Sequence, residues 1–379
     1  MLLLLAALCL FCATPGLAHG SFVYVTNYGD GTISQFRENP SGTLSPLSPP
    51  TVRAHSLCHS LAVARGRFLY AISAKDWSRR DCVVCQYEIT PSGRLRPLSP
   101  AEVLCPGTPS ALAVGPRGRF LYVFSREGTV LQLRIGARGR LTPLSPAVIP
   151  VIQAGGVVPN LSFDVCHSVL YGTYHVAWGA GNVTSGQFAC TVKRNGQLHL
   201  LPTEATAENA PHPHSVSLSP RGQFAYVAEN VPGLPHTYWH SVIASYRTRP
   251  NGGLTPLSPP SMPVESAGKS AVDPAGRFLY LLFETVDDLH ATGAYRLARA
   301  PIQKEGRLGA FSYQKFARPA SLPPVQEFSL AFGAEHTAYF VEGGYIYLFH
   351  VQSGGALTPQ RPARIWAGYG PLGIVCVQN

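Results

Sequence analysis

Four histidines crowd one stretch of the chain: His212, His214, His236 and His240. An imidazole titrates near neutral pH, so a histidine beside a carboxylate can take the proton of a water attacking an ester carbonyl, or return one to the leaving oxygen. His212 and His214 are two apart, so in an extended chain they face the same side, as a chelate would require. The other two lie in an insertion between Asn230 and His240, and no metal site and no cofactor is expected. Cys82-Val-Val-Cys85 has the spacing of a redox or zinc motif. It lies in a strand-like run with no second such pair, so that chemistry is not expected either. No serine-hydrolase elbow and no glycine-rich phosphate loop leading into a helix is present.

Only 13% of the 379 residues are charged, while glycine (37) and proline (34) are frequent. Low charge, many turn formers and repeated apolar runs predict short strands joined by tight turns. Two patterns recur seven times. The first is a strand centred on a tyrosine, at Tyr24, Tyr70, Tyr122, Tyr171, Tyr226, Tyr280 and Tyr339. The second is a Gly-x-Leu turn, at Gly42, Gly93, Gly139, Gly196, Gly252, Gly306 and Gly355. Self-similarity at a period of roughly 50 residues means a solenoid or a propeller.

One unit reads as four strands: 111–114, 119–125, 129–135 and 141 onward, the last carrying Pro143 and Pro146 as an outer edge permits. The first tyrosine strand has no partner strand before it, whereas Pro371 to Val377 reads as an orphan first strand. Pairing these two closes a ring and removes exposed sheet edges. The expectation is an all-β, seven-bladed β-propeller of four-stranded antiparallel blades, a single domain over 19–379. Residues at the entry to first strands and the end of second strands then share the channel mouth. That would let His214, Glu229, Lys269 and Glu284 converge.

Met1 to Ala13 is apolar and is followed by a small-residue site ending at Ala18, so residues 1–18 read as a signal peptide and the protein as secreted. No later stretch is long enough to span a bilayer, and no integral membrane segment is expected. Seven cysteines follow the leader (Cys58, Cys82, Cys85, Cys105, Cys166, Cys190 and Cys376), so disulfides are expected, with their pairing left open. Asn160 and Asn182 stand in glycosylation sequons. The formal charge is +10, but basic residues are scattered over turns without an aromatic–basic motif, which excludes nucleic acid as the partner class. A monomer is expected.

Tyr24-Val-Thr-Asn27, the repeated Pro-x-Gly-Arg-Phe-Leu-Tyr (Pro116 to Tyr122, Pro274 to Tyr280) and Gly-x-Leu-x-Pro-Leu-Ser-Pro resemble the YVTN-type repeats of the seven-bladed lactonase propellers. That family includes 6-phosphogluconolactonases and fungal carboxymuconate cyclases. Pro211-His-Pro-His214-Ser215 and the strand ending at Glu229 are similar to its His-Ser segment and following acid. The resemblance implies His214 as the channel histidine, Glu229 and Glu284 as carboxylates and Lys269 as a substrate-binding group; His212, two residues before His214, is a further candidate for binding substrate. Where the family carries arginines, this chain reads Gly268-Lys269 and Gly343, and a lysine lacks the bidentate fork.

The implied activity is hydrolysis or formation of a lactone on a small anionic molecule. Secretion argues against a cytoplasmic sugar phosphate. The alternative is a non-catalytic propeller binding a glycan, surface component or protein through aromatic loops. Trp77, Trp178, Tyr238 and Trp239 lie in three insertions on one face.

Overall fold

The computed structural model describes residues 20–76, 81–152, 160–166, 168–177, 183–201, 211–232, 239–287, 290–317, 329–334 and 336–378. These form seven antiparallel sheets of four strands each, and the innermost strands of successive sheets contact one another all the way round. From the channel outward, blade one is Pro371–Gln378, Ser21–Asn27, Thr32–Glu38 and Leu44–Arg53. Its first strand therefore comes from the far end of the sequence, pairing Tyr24 with Val375 and Val23 with Cys376. Blades two to seven begin at Ser60, Pro109, Asn160, His212, Lys269 and Ser329.

Blade three shows why the strands lack polar alternation. Every residue of Phe120–Ser125 is buried. Leu121 and Val123 pack in the wedge with blade two, while Phe120, Tyr122 and Phe124 pack in the wedge with blade four. A strand covered on both faces must be apolar on both.

The two recurring sequence patterns meet across each wedge. The hydroxyls of Tyr24, Tyr70 and Tyr122 donate to the carbonyl oxygens of Gly93, Gly139 and Gly196 in the next blade, at 2.6, 2.7 and 2.8 Å. Tyr226, Tyr280 and Tyr339 repeat the bond to Gly306, Gly355 and Gly42. The phenylalanine two residues before the tyrosine lies over the same glycine. A Cβ on Gly93 would stand 2.1 Å from the Phe22 ring, and φ there is +82°. Both the contact and the left-handed backbone exclude a larger residue.

A second clasp uses a buried glutamine in the third strand. Gln86 Nε2 donates to Pro100 O at 3.1 Å, and its Oε1 accepts from Leu141 N of the next blade at 2.7 Å. Gln35 and Gln132 do the same with Leu95 N and Leu198 N. The leucine of the Gly-x-Leu turn is thus held by its own N–H. Replacing Gln86 by Leu strands one buried donor and one buried acceptor. The expected cost is about 2 kcal/mol, from ~1–3 kcal/mol for each unmet group less the gain of an apolar side chain. Urea unfolding of Gln86→Leu checks this, and an unchanged midpoint would refute the clasp.

The closing wedge between blades seven and one has a fastening of its own. The buried Glu38 carboxylate accepts from Thr337 Oγ1 at 2.5 Å, Tyr339 OH at 2.8 Å and Ala334 N at 3.1 Å.

Candidate functional site

In an antiparallel blade, first strands start, second strands end and fourth strands end on one face of the ring. His214 lies there, near the start of the first strand of blade five (His212–Leu218). The ladder pairs Pro213 with Glu229 and Ser215 with Ala228, so His214 is the extra residue of a bulge. A bulge re-aims a side chain, and His214 is exposed. Its Nε2 stands 3.0 Å from Asn230 Nδ2, while Asn230 Oδ1 accepts from Ser241 Oγ at 2.7 Å. An amide nitrogen donates, so Nε2 is the accepting ring nitrogen in this contact. His212 pairs with Asn230 across the ladder.

Lys269 begins the first strand of blade six (Lys269–Val272) and is exposed. The residue after His214, Ser215, donates to Gly268 O at 2.7 Å and lies 2.9 Å from Ser270 Oγ. The bulged histidine and the lysine are therefore brought to adjoining inner strands at the mouth. Below them the channel wall of blades five, six and seven bounds a cavity of about 390 Å³, with Ser217 and Ser270 facing Leu330 and Phe332.

Glu229 is placed differently. It alternates with Val227 and Ala225, which pack toward blade four, whereas Asn230 alternates with Ala228 and Tyr226 on the blade-six side. The residue is 6% exposed, and burial pushes its carboxyl pKa from 4.5 up to about 7. Its charge bears on the Tyr246 hydroxyl. The backbone of Glu284 pairs with Tyr295 near the mouth end of blade six.

Sequence reasoning passed over two other features of this face. At the junction of blades one and two, a cleft of about 450 Å³ is bordered by Asp30, Arg53, His55 and Glu102. His55 Nε2 stands 2.6 Å from Glu102 Oε2, and Lys75 pairs with the other carboxylate oxygen. Burial works against the Glu102 charge, but the bonds from Lys75 and His55 outweigh it and hold the carboxyl below its ordinary value. Only the third dimension joins His55, Lys75 and Glu102, which stand 20 and more positions apart in the chain. The second feature is aromatic. Trp366 and Tyr369 are exposed with ring centres 5.2 Å apart, Tyr345 meets Trp366 at 5.2 Å, and Tyr28 is exposed nearby in the sequence of blade one.

The insertions prove to be lengthened hairpins, since the second and third strands of blade five pair out to Pro232 and Trp239. Trp77, Trp178, Tyr238, His236 and Asn182 lie outside the described residues, as do the side chains of Trp239 and Glu284. Among the described residues no group of three or more His, Cys, Asp or Glu side chains could hold a metal ion. No helix of the described structure is long and apolar enough to cross a membrane.

A family model described as Lactonase, 7-bladed beta-propeller, matches residues 22–284. No curated protein matches the chain. Among solved structures, a putative 6-phosphogluconolactonase from Bacteroides uniformis is similar over 95% of this chain and 100% of its own, at 17% identity and a TM-score of 0.67. A periplasmic gluconolactonase from Pseudomonas aeruginosa is similar over 95% and 99%, at 19% identity and a TM-score of 0.64. AztD from Citrobacter koseri follows at 13% identity, covering 95% and 98%, with a TM-score of 0.54. At such identities the structural likeness speaks for the fold alone, but the family model spans more than half of the sequence, and the ring, the Tyr–Gly clasps and the terminal closure all agree with it: the chain belongs to the seven-bladed β-propeller lactonase family.

Proposed function

We propose that the protein is a secreted, monomeric lactonase acting on a small anionic lactone at the channel mouth of blades five and six. The observation that carries this reading is His214, bulged out of its strand and held by the Asn230 amide beside the strand that Lys269 opens. In hydrolysis, water adds to the lactone carbonyl and loses a proton to a base. The tetrahedral oxyanion then expels the ring oxygen, which takes a proton to give a hydroxy acid. Nδ1–H of His214 is the donor for the developing oxyanion. When a water replaces Asn230 at Nε2, that nitrogen becomes the base. Lys269 holds the substrate's negative charge, His212 lines its approach, and Glu284 is the carboxylate proposed to orient the histidine ring. Glu229 lies buried behind the strand, opposite Pro213 in the ladder.

Removing residues 1–18 on export and glycosylation at Asn160 and Asn182 belong to the same reading. The test is turnover of five- and six-membered carboxylated lactones by the mature protein. The His214→Ala variant is expected to lose at least about 100-fold in kcat/KM, the usual scale of general acid–base assistance. Its melting temperature should be retained, because the side chain is exposed. Failure of the folded wild type to turn over any such lactone would end this reading.

One observation favours a second reading, a non-catalytic propeller that binds a glycan. The exposed pair Trp366 and Tyr369, backed by Tyr345 with the Arg364 guanidinium 4.4 Å from its ring centre, offers stacking faces for a pyranose ring. Oligosaccharide-induced change in tryptophan fluorescence, lost in Trp366→Ala, would favour this reading.

A further inference from the structure

Blade two holds Cys82, Cys85 and Cys105, and its strand geometry sorts them in a way the sequence does not suggest. Spacing alone points to Cys82 and Cys85 as partners. They lie three apart on one strand (Asp81–Ile89), and side chains an odd number apart point to opposite faces of a sheet. Cys82 accordingly packs with Val84 in the wedge against blade three, while Cys85 packs with Val83 and Tyr87 in the wedge against blade one. No motion short of unravelling the strand brings those two sulfurs together. Directly opposite Cys82 across the ladder stands Cys105, the last residue of the neighbouring strand Leu95–Cys105. Both share one face and one apolar cluster, at 1% and 3% exposure. Cys58, Cys82, Cys85, Cys105, Cys190 and Cys376 carry free thiols.

We propose that Cys82 and Cys105 are a disulfide-forming pair that clamps the open end of the outer hairpin of blade two. Opposite residues in an antiparallel ladder have Cβ atoms roughly 4.5–5.5 Å apart. A disulfide needs roughly 3.5–4.5 Å, so closing the bond takes a shift of about 1 Å. The hairpin is already tied at its other end by the Thr90–Arg94 turn. At the open end the chain leaves Cys105 for blade three through Gly107, whose φ is +81°. A bond there would tie the insertion around Trp77 to the crossing into the next blade.

The chemistry is a thiol–disulfide exchange with a small disulfide such as oxidised glutathione. The Cys82 thiolate attacks one glutathione sulfur, forming a mixed disulfide and releasing one reduced glutathione. The Cys105 thiolate then attacks the Cys82 sulfur, the protein S–S bond forms, and the second glutathione leaves. The protein's two thiols lose two electrons and two protons, and both end on the two glutathiones. Burial also raises both thiol pKa values, that of Cys105 to about 12. Exchange therefore belongs to folding, before blade three covers the pair, and a bond once buried is shielded from attacking thiolates.

The inference does not depend on lactonase activity. The full-length mature chain would be refolded in a reduced/oxidised glutathione buffer, digested without reduction and mapped by mass spectrometry. A cross-linked peptide pair containing Cys82 and Cys105 is expected, and dithiothreitol should lower the melting temperature of the wild type but not of Cys82→Ala. Both cysteines recovered as alkylated thiols from the oxidised protein, or Cys82 found bonded to Cys85, would overturn the assignment.

Discussion

A chain ending at Gly370 is expected to yield no cooperatively folded monomer. The strand it lacks, Pro371–Gln378, is the innermost strand of blade one and also touches the inner strands of blades two and seven. Without it Ser21–Asn27 loses a ladder running from Ser21–Gln378 to Asn27–Pro371. The main-chain groups of that ladder would face a gap in the channel wall, and Thr26 Oγ1 would lose the Gly373 N–H that reaches it at 2.9 Å. The Glu38 fastening to Thr337 and Tyr339 would remain, but it holds the outer part of the wedge and cannot fill the hole. In a ring each blade's buried faces exist only because both neighbours are present, so the loss propagates rather than staying local. Far-ultraviolet circular dichroism with a thermal melt checks this. A truncated protein that melted cooperatively within a few degrees of the intact one would show that the ring does not need its last strand. A synthetic peptide of residues 371–378, added in trans, should recover part of the folded signal.

The second large effect concerns Glu229. Its carboxyl is ordinary at 4.5 when exposed and rises to about 7 when buried. Between those values the folded chain holds a proton that the unfolded chain has released, so stability contributed by this group falls as pH rises from 4.5 and levels off above 7. The gap corresponds to about 3 kcal/mol of destabilisation at pH 8, at roughly 1.4 kcal/mol for each pKa unit. Glu229→Gln keeps the shape and removes the titration. It is expected to melt several degrees above wild type at pH 8.5 and almost level with it at pH 4.5. Equal stabilisation at both pH values would mean that packing, rather than the charge, sets the difference.

How far the sequence could be read depended on which atoms carry each feature. The blade boundaries were legible because turn glycines and buried tyrosines repeat. The third blade's strands, expected at 111–114, 119–125, 129–135 and 141 onward, are found at Pro109–Val114, Phe120–Ser125, Thr129–Ile135 and Leu141–Pro150. The terminal closure was legible because an unpaired strand stood at each end. What the repeats could not show is why tyrosine and glycine recur together, since the bond joining them, such as Tyr70 to Gly139, crosses from one repeat to the next. Gln35, Gln86 and Gln132 escaped notice for the same reason. At the site, the pattern placed His214 and Lys269 on adjoining strands. It missed the alternation that sends Glu229 and Asn230 to opposite faces, and the bulge at His214 that gives the imidazole an amide partner. His55 and Glu102 meet only through the sheet stacking of two blades.

Because Ser21 and Gln378 sit side by side as ladder partners, a linker of a few residues would splice them without distorting either strand. New ends could then be opened at an exposed turn on the same rim, such as Pro250–Asn251. The order in which a ribosome emits the seven sectors is thus separable from the architecture they build, and circularly rearranged versions of this protein should assemble the same wheel from a different starting sector.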